Sequence, residues 1–153
     1  MTIDRRTFLK LAGGTMACAC ASAVGLGGCA GTGAARTPAA PEGSYRRKGD
    51  TVIVTLSAAG ELARAGGAVR LALDGEAIRL LVVHLEDQVY RAFADRCTHN
   101  GKELDYAHEE GELRCRSRKS RFDGAGSLIR GPAEGGLVVY PLHRQGDELV
   151  IKL

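Results

Sequence analysis

The sequence predicts an all-β sandwich or barrel, and three observations carry that expectation. Short apolar runs alternate at period two, the signature of half-buried strands. Gly- and Asp-rich turn signals separate these runs at close spacing. Glycine is abundant, at 21 of 153 residues, as expected where many tight turns join short strands.

In chain order, the first element is a leader. Asp4-Arg5-Arg6-Thr7-Phe8-Leu9-Lys10 resembles a twin-arginine export signal, and an Ala- and Gly-rich apolar run follows from Leu11 to Gly28. Such a segment is excluded from fold reasoning. The alternative is an ordinary amphipathic N-terminal helix carrying two arginines. Leu26-Gly27-Gly28-Cys29 resembles a lipobox, with cleavage before Cys29 and lipidation on it. Buried acyl methylenes would then hold the domain at a membrane surface. An uncleaved N-terminal anchor and soluble release after cleavage are the two alternatives. Residues 1–29 are therefore expected to be the leader, residues 30–49 a flexible linker and residues 50–153 the folded domain. The linker expectation rests on Gly, Ala, Thr, Pro and Ser without apolar periodicity. Arg46-Arg47-Lys48 ends it as a basic run, either solvated or drawn weakly to anionic head groups.

The domain opens with a mostly apolar strand at Val52, Val54 and Leu56. Residues 57–67 read as a loop with one helical turn at Glu61–Arg64, closed by Gly66-Gly67. Val69, Leu71 and Leu73 form a period-two strand, and Asp74-Gly75 turns it into Ile78–Leu85 as a hairpin. Gln88–Phe93 is the next strand and leads to Cys97. Leu113 and Cys115 end a short strand, Arg121–Asp123 begins another, and Gly124, Gly126 and Ser127 turn the chain. Leu137–Leu142 and Glu148–Leu153 are strands joined by Gln145-Gly146-Asp147.

The chemistry concentrates between Cys97 and Asp123. Cys97-Thr98-His99 and Cys115 place two thiolates and an imidazole on two loops fifteen or more residues apart. Of five cysteines, Cys18, Cys20 and Cys29 lie in the leader, so Cys97 and Cys115 are the domain's own. In an exported protein a Cys97–Cys115 disulfide is the simple alternative. The formal net charge of +3 is too mild to imply a nucleic-acid partner. No nucleophile–base or paired-carboxylate pattern indicates an independent catalytic activity.

From about Thr51 onward these residues resemble a Rieske iron–sulfur domain, whose pattern is C-x-H, a gap, then C-x-x-H. Cys97, His99 and Cys115 fall on three of its four ligand slots. Ser120-Arg121-Phe122-Asp123 resembles the run after the second ligand pair, and Gly131-Pro132-Ala133 the third loop, whose Pro132 would cover the cluster. The resemblance implies stacked antiparallel sheets with a three-loop cluster-binding tip. It also implies a 2Fe–2S cluster with Cys97 and Cys115 on the buried iron and His99 on the outer one. The fourth slot holds Arg118, whose guanidinium has no lone pair for a metal. The positions that carry an inter-loop disulfide in many high-potential members are Lys102 and Ser117, so that bridge is absent.

His108 is the nearest substitute ligand by sequence, while His84 and His143 read as ordinary strand residues. Arg114, Arg116, Arg118, Lys119 and Arg121 make a basic run that is either solvated or attracts an acidic partner or an anion. Asp105, Glu109 and Glu110 are its candidate counter-ions. The resulting expectation is an exported, membrane-anchored Rieske-type electron-transfer protein, serving a redox partner or a larger oxidoreductase subunit in the periplasm or another extracytoplasmic space. The alternatives are a cluster-free Rieske-fold docking module and a mononuclear site, such as zinc on Cys97, His99 and Cys115 with one open position.

Overall fold

The computed structural model describes residues 36–153 except Asp74 and Glu76. The twin-arginine-like run, the lipobox-like run at Cys29 and Asp74 of the expected turn lie outside the described residues.

Twelve strands form three four-stranded sheets among the described residues, with antiparallel pairing throughout. The first sheet is ordered β1 (Tyr45–Lys48), β2 (Thr51–Thr55), β12 (Glu148–Lys152) and β11 (Leu142–Gln145). The second is ordered β10 (Val139–Tyr140), β5 (Tyr90–Ala94), β4 (Ile78–His84) and β3 (Ala68–Leu73). The third is ordered β6 (Leu104–Ala107), β7 (Glu112–Cys115), β8 (Arg121–Phe122) and β9 (Leu128–Arg130). The predicted helical turn is a 3-10 turn at Gly60–Ala63 that buries Leu62.

The second sheet is the middle layer. One face meets the first sheet, where Val52, Val54, Leu149 and Ile151 pack with Val69, Leu71, Leu80, Val82 and Leu62. Its other face meets the third sheet, where Leu81, Val83 and Phe93 pack with Leu104, Leu113, Phe122 and both domain cysteines. That double coverage explains why Leu80-Leu81-Val82-Val83 is continuously apolar: a strand buried on both faces has no solvent side on which to alternate.

The expected linker is corrected over residues 36–49. Thr37 is buried, Arg70 N–H donates to Pro38 O, and Ala40 N–H donates to Arg70 O, both at 2.8 Å. β1 pairs along its whole length with β2, and Tyr45 donates its hydroxyl to Ala72 O at 2.8 Å. An edge strand with mostly exposed side chains shows no apolar period, and backbone pairing needs none. Residues 30–35 of that expectation lie outside the described residues. The single strand expected at Leu137–Leu142 is also corrected. Pro141 has no N–H for a ladder, and the chain passes there from β10 in the second sheet to β11 in the first.

Candidate metal centre

Three loops meet at one end of the third sheet. In the first, Cys97 O accepts N–H bonds from Asn100 and Gly101, and Cys97 N–H donates to Lys102 O at 2.7 Å. In the second, Arg118 N–H donates to Cys115 O at 2.6 Å and Cys115 N–H to Ser120 O at 3.0 Å. This tight turn puts Arg118 at φ 60°, a left-handed conformation uncommon for a side-chain-bearing residue. The third loop follows β9. Thr98 donates its hydroxyl to Gly135 O at 3.0 Å, tying the third loop to the first.

Gly131 lets the third loop approach the second. At φ 119°, a Cβ there would run into the backbone of Lys119 and Ser120. Gly131→Ala is expected to destabilise the domain by roughly 2 kcal/mol or more, combining backbone strain with overpacking. Urea denaturation measures this, and a change under about 0.5 kcal/mol would mean that the loops are not closely packed.

The loops bring Cys97, His99 and Cys115 together, with their donor atoms within 4.8 Å of one another. Both sulfurs belong to free thiols, so the disulfide alternative is not what this structure contains. The cysteines are only 2% and 1% exposed, while His99 is partly exposed. His99 Nδ1 is buried and has no hydrogen-bond partner. Burial pushes the Cys97 thiol above its ordinary pKa. The Cys115 sulfur adds to this, while the His99 backbone N–H and the Ser120 hydroxyl oppose it. Ser120 itself is fully buried, and its hydroxyl makes no full hydrogen bond. Cys115 Sγ lies 3.0 Å from Ser117 Oγ and 3.6 Å from Asn100 Oδ1, two neighbours that cysteine and histidine spacing does not reveal.

Two buried thiols with a histidine ring nitrogen within 4.8 Å fit a soft transition-metal centre. The fit covers three ligands of the four that the ends of a two-iron cluster require. Arg118 stands exposed and makes no ion pair or side-chain hydrogen bond among the described residues. Among the described residues Arg118 therefore does not fill the fourth slot by bonding to a carbonyl or carboxylate there. Pro132 is exposed on the third loop. His108 is corrected as a substitute ligand. Its ring stands against Gly66 and tilts against Tyr106 at 6.3 Å, and it is not part of the donor group. His84 is buried in β4, with Nδ1 3.0 Å from Leu62 O, and His143 lies exposed in β11.

Most of the basic run is neutralised. Arg114 pairs with Glu110 and Glu112, Arg121 with Glu112, and Arg116 with Glu103 and Asp105. Behind the loops lies a network that the sequence did not reveal. Arg70 pairs with buried Asp95 and donates to Thr37 O, Leu104 O and Asp105. Asp95 Oδ1 accepts the Leu104 N–H at 2.7 Å, and Asp105 Oδ1 accepts the Thr37 N–H at 3.0 Å. Both ends of the Cys97 loop are held in this way.

Stacked antiparallel sheets carrying two thiols and an imidazole on a three-loop tip define a small metal-centre domain. The Rieske 2Fe–2S domain model matches residues 52–141, more than half of the sequence. The chain belongs to that family. Over 57% of this chain and 87% of the other, it is 23% identical to the plasma-membrane Rieske protein PetC3 of the cyanobacterium Synechocystis PCC 6803, with a TM-score of 0.51. Over 61% of this chain it is 21% identical to the quaternary ammonium Rieske monooxygenase CntA bound to an inhibitor, with a TM-score of 0.51. The match covers 29% of that monooxygenase. At these identities the likeness shows the fold alone. No curated protein matches the sequence.

Proposed function

We propose that this chain is an exported Rieske-type protein that passes single electrons to or from a redox partner or a larger oxidoreductase. Cys97, His99 and Cys115 would hold a 2Fe–2S cluster. The observation that carries this reading is that a donor nitrogen of His99 lies within 4.8 Å of both buried sulfurs. When bound, the cluster supplies a one-electron redox centre, and imidazole in place of thiolate raises its potential by removing negative charge. The chain's own residues bury the sulfurs, orient the imidazole and join the third loop to the first through Thr98. Ser120 and Pro132 belong to the same loops and are assigned to cluster support, and Arg118 to the position left without a protein ligand.

The leader, residues 1–29, supports twin-arginine export, and Cys29 supports a lipid anchor at an extracytoplasmic membrane face. Among the described residues no helix is long and apolar enough to cross a membrane. One observation favours a second reading, a cluster-free docking module: Arg118 cannot ligate.

The test is metal analysis with electron paramagnetic resonance on the full chain, purified without oxygen. About two irons per chain and a Rieske-like signal on reduction are expected from the four-ligand chemistry of the family. A folded, colourless, iron-free protein would overturn electron transfer in favour of docking. One zinc per chain without iron would assign the mononuclear site.

A further inference from the structure

We propose that a second binding site, apart from the metal centre, takes a small organic carboxylate with an apolar body, in a cleft walled by Arg91, Tyr140 and Pro141. The proposal does not rest on the metal reading.

The cleft follows from the strand register. β10 covers β5 only as far as Val139 against Phe93 and Tyr140 against Ala92. The next residue, Pro141, has no N–H for a ladder. Leu142 already pairs with Ile151 in the first sheet. The β5 edge at Tyr90 and Arg91 therefore has no β10 partner, and a cavity of about 320 Å³ opens there. That volume is at the small end for ligand sites. Tyr90, Arg91, Val139, Tyr140, Pro141 and Leu142 line it. Arg91 lies near the start of β5, whereas Cys97 and its loop follow the end of that strand.

The lining has the chemistry of an anion site. None of the six residues is acidic. Arg91 Nε is buried without a hydrogen-bond partner, and the side chain makes no ion pair among the described residues. A buried donor without an acceptor is costly, and a carboxylate oxygen would satisfy it. A guanidinium takes a carboxylate through two parallel, charge-assisted bonds. The Tyr140 hydroxyl is also without a partner among the described residues. Arg144 adds a second cation, its guanidinium carbon 6.0 Å from the Tyr90 ring centroid. Its side chain bonds to Gly146 O and Gln88 and to no carboxylate among the described residues. Val139, Pro141 and Leu142 supply an apolar wall, and exposure of Val139 and Pro141 leaves the cleft open to a ligand. The Tyr90 wall is held in place. Its ring stacks on His84 at 4.2 Å, and its hydroxyl donates to Leu62 O at 3.3 Å. A wall fixed beforehand costs less ordering on binding. Binding is non-covalent and transfers no electron.

The experiment titrates benzoate and hexanoate into the isotope-labelled full chain at constant ionic strength, each beside its neutral amide. The Arg91 Nε–H resonance and the heat of binding are read. At least one acid is expected to move that resonance to saturation. Its amide should bind about ten-fold more weakly or worse, the factor for losing one charge-assisted hydrogen bond. Arg91→Lys keeps the charge and loses the planar fork, and should weaken binding about ten-fold. Arg130→Gln removes an exposed cation outside the cleft and should leave binding unchanged. No saturable shift with either acid, a shift matched by the amide, or binding that leaves the Arg91 resonance in place overturns the proposal. These readings come from the parent chain, so they decide the matter even where Arg91→Lys does not fold. Unchanged affinity in a folded Arg91→Lys chain overturns it as well. Iron content enters none of these readings, so failure here leaves the electron-transfer reading standing.

Discussion

Arg118→His is expected to raise the iron that the purified chain retains through a chelator challenge by about ten-fold or more. Losing a group that merely supports a ligand already costs roughly ten- to a hundred-fold in metal affinity, and restoring a ligand should gain at least as much. The backbone favours the exchange. Position 118 sits at φ 60°, and histidine is enriched in that left-handed region. The turn is closed by main-chain bonds, Arg118 N–H to Cys115 O and Cys115 N–H to Ser120 O, which do not depend on the side chain. Iron per chain after a fixed time with chelator is the measurement. No gain over the parent chain would mean that this turn does not present residue 118 to the metal.

Arg70→Met is expected to destabilise the domain by about 3–5 kcal/mol, the range for breaking a buried ion pair from one side. The Arg70 side chain is 11% exposed and Asp95 fully buried. Burial alone would depress the Arg70 pKa, but Asp95, Asp105 and Glu103 outweigh it and hold the guanidinium above its ordinary range. Methionine would leave the Asp95 charge uncompensated and the Thr37 and Leu104 carbonyls without their donor. Urea denaturation gives the loss. Adding Asp95→Leu should recover part of it, because the buried charge goes too. A loss under about 1 kcal/mol for Arg70→Met alone would show that water or another cation compensates Asp95.

The strands were readable where their side chains alternate. Val69, Leu71 and Leu73 mark β3, and the Gly-Asp turns bracket most of the others. β6 and β9 escaped detection. Leu104–Ala107 is short and buried throughout, and Leu128–Arg130 is exposed throughout, so neither alternates. Cys97, His99 and Cys115 were legible because a motif fixes residue types at short spacing. Asp95 and Arg70 belong to no motif, lie 25 residues apart and meet only through the β3–β4–β5 pairing.

By itself the sequence determined the all-β class, the donor set on two loops and the absence of a fourth protein ligand at Arg118. Each is local: a period of two, a spacing of two residues, a side chain without a lone pair. The tertiary structure decided the rest. It laced residues 37–48 onto β2 and β3, split the chain between sheets at Pro141, and neutralised Arg114, Arg116 and Arg121 while leaving Arg118 and Lys119 unpaired among the described residues. These outcomes depend on which distant backbone and charged groups meet. Hydrogen bonds and ion pairs are made across the fold, and no local pattern in the chain records their partners.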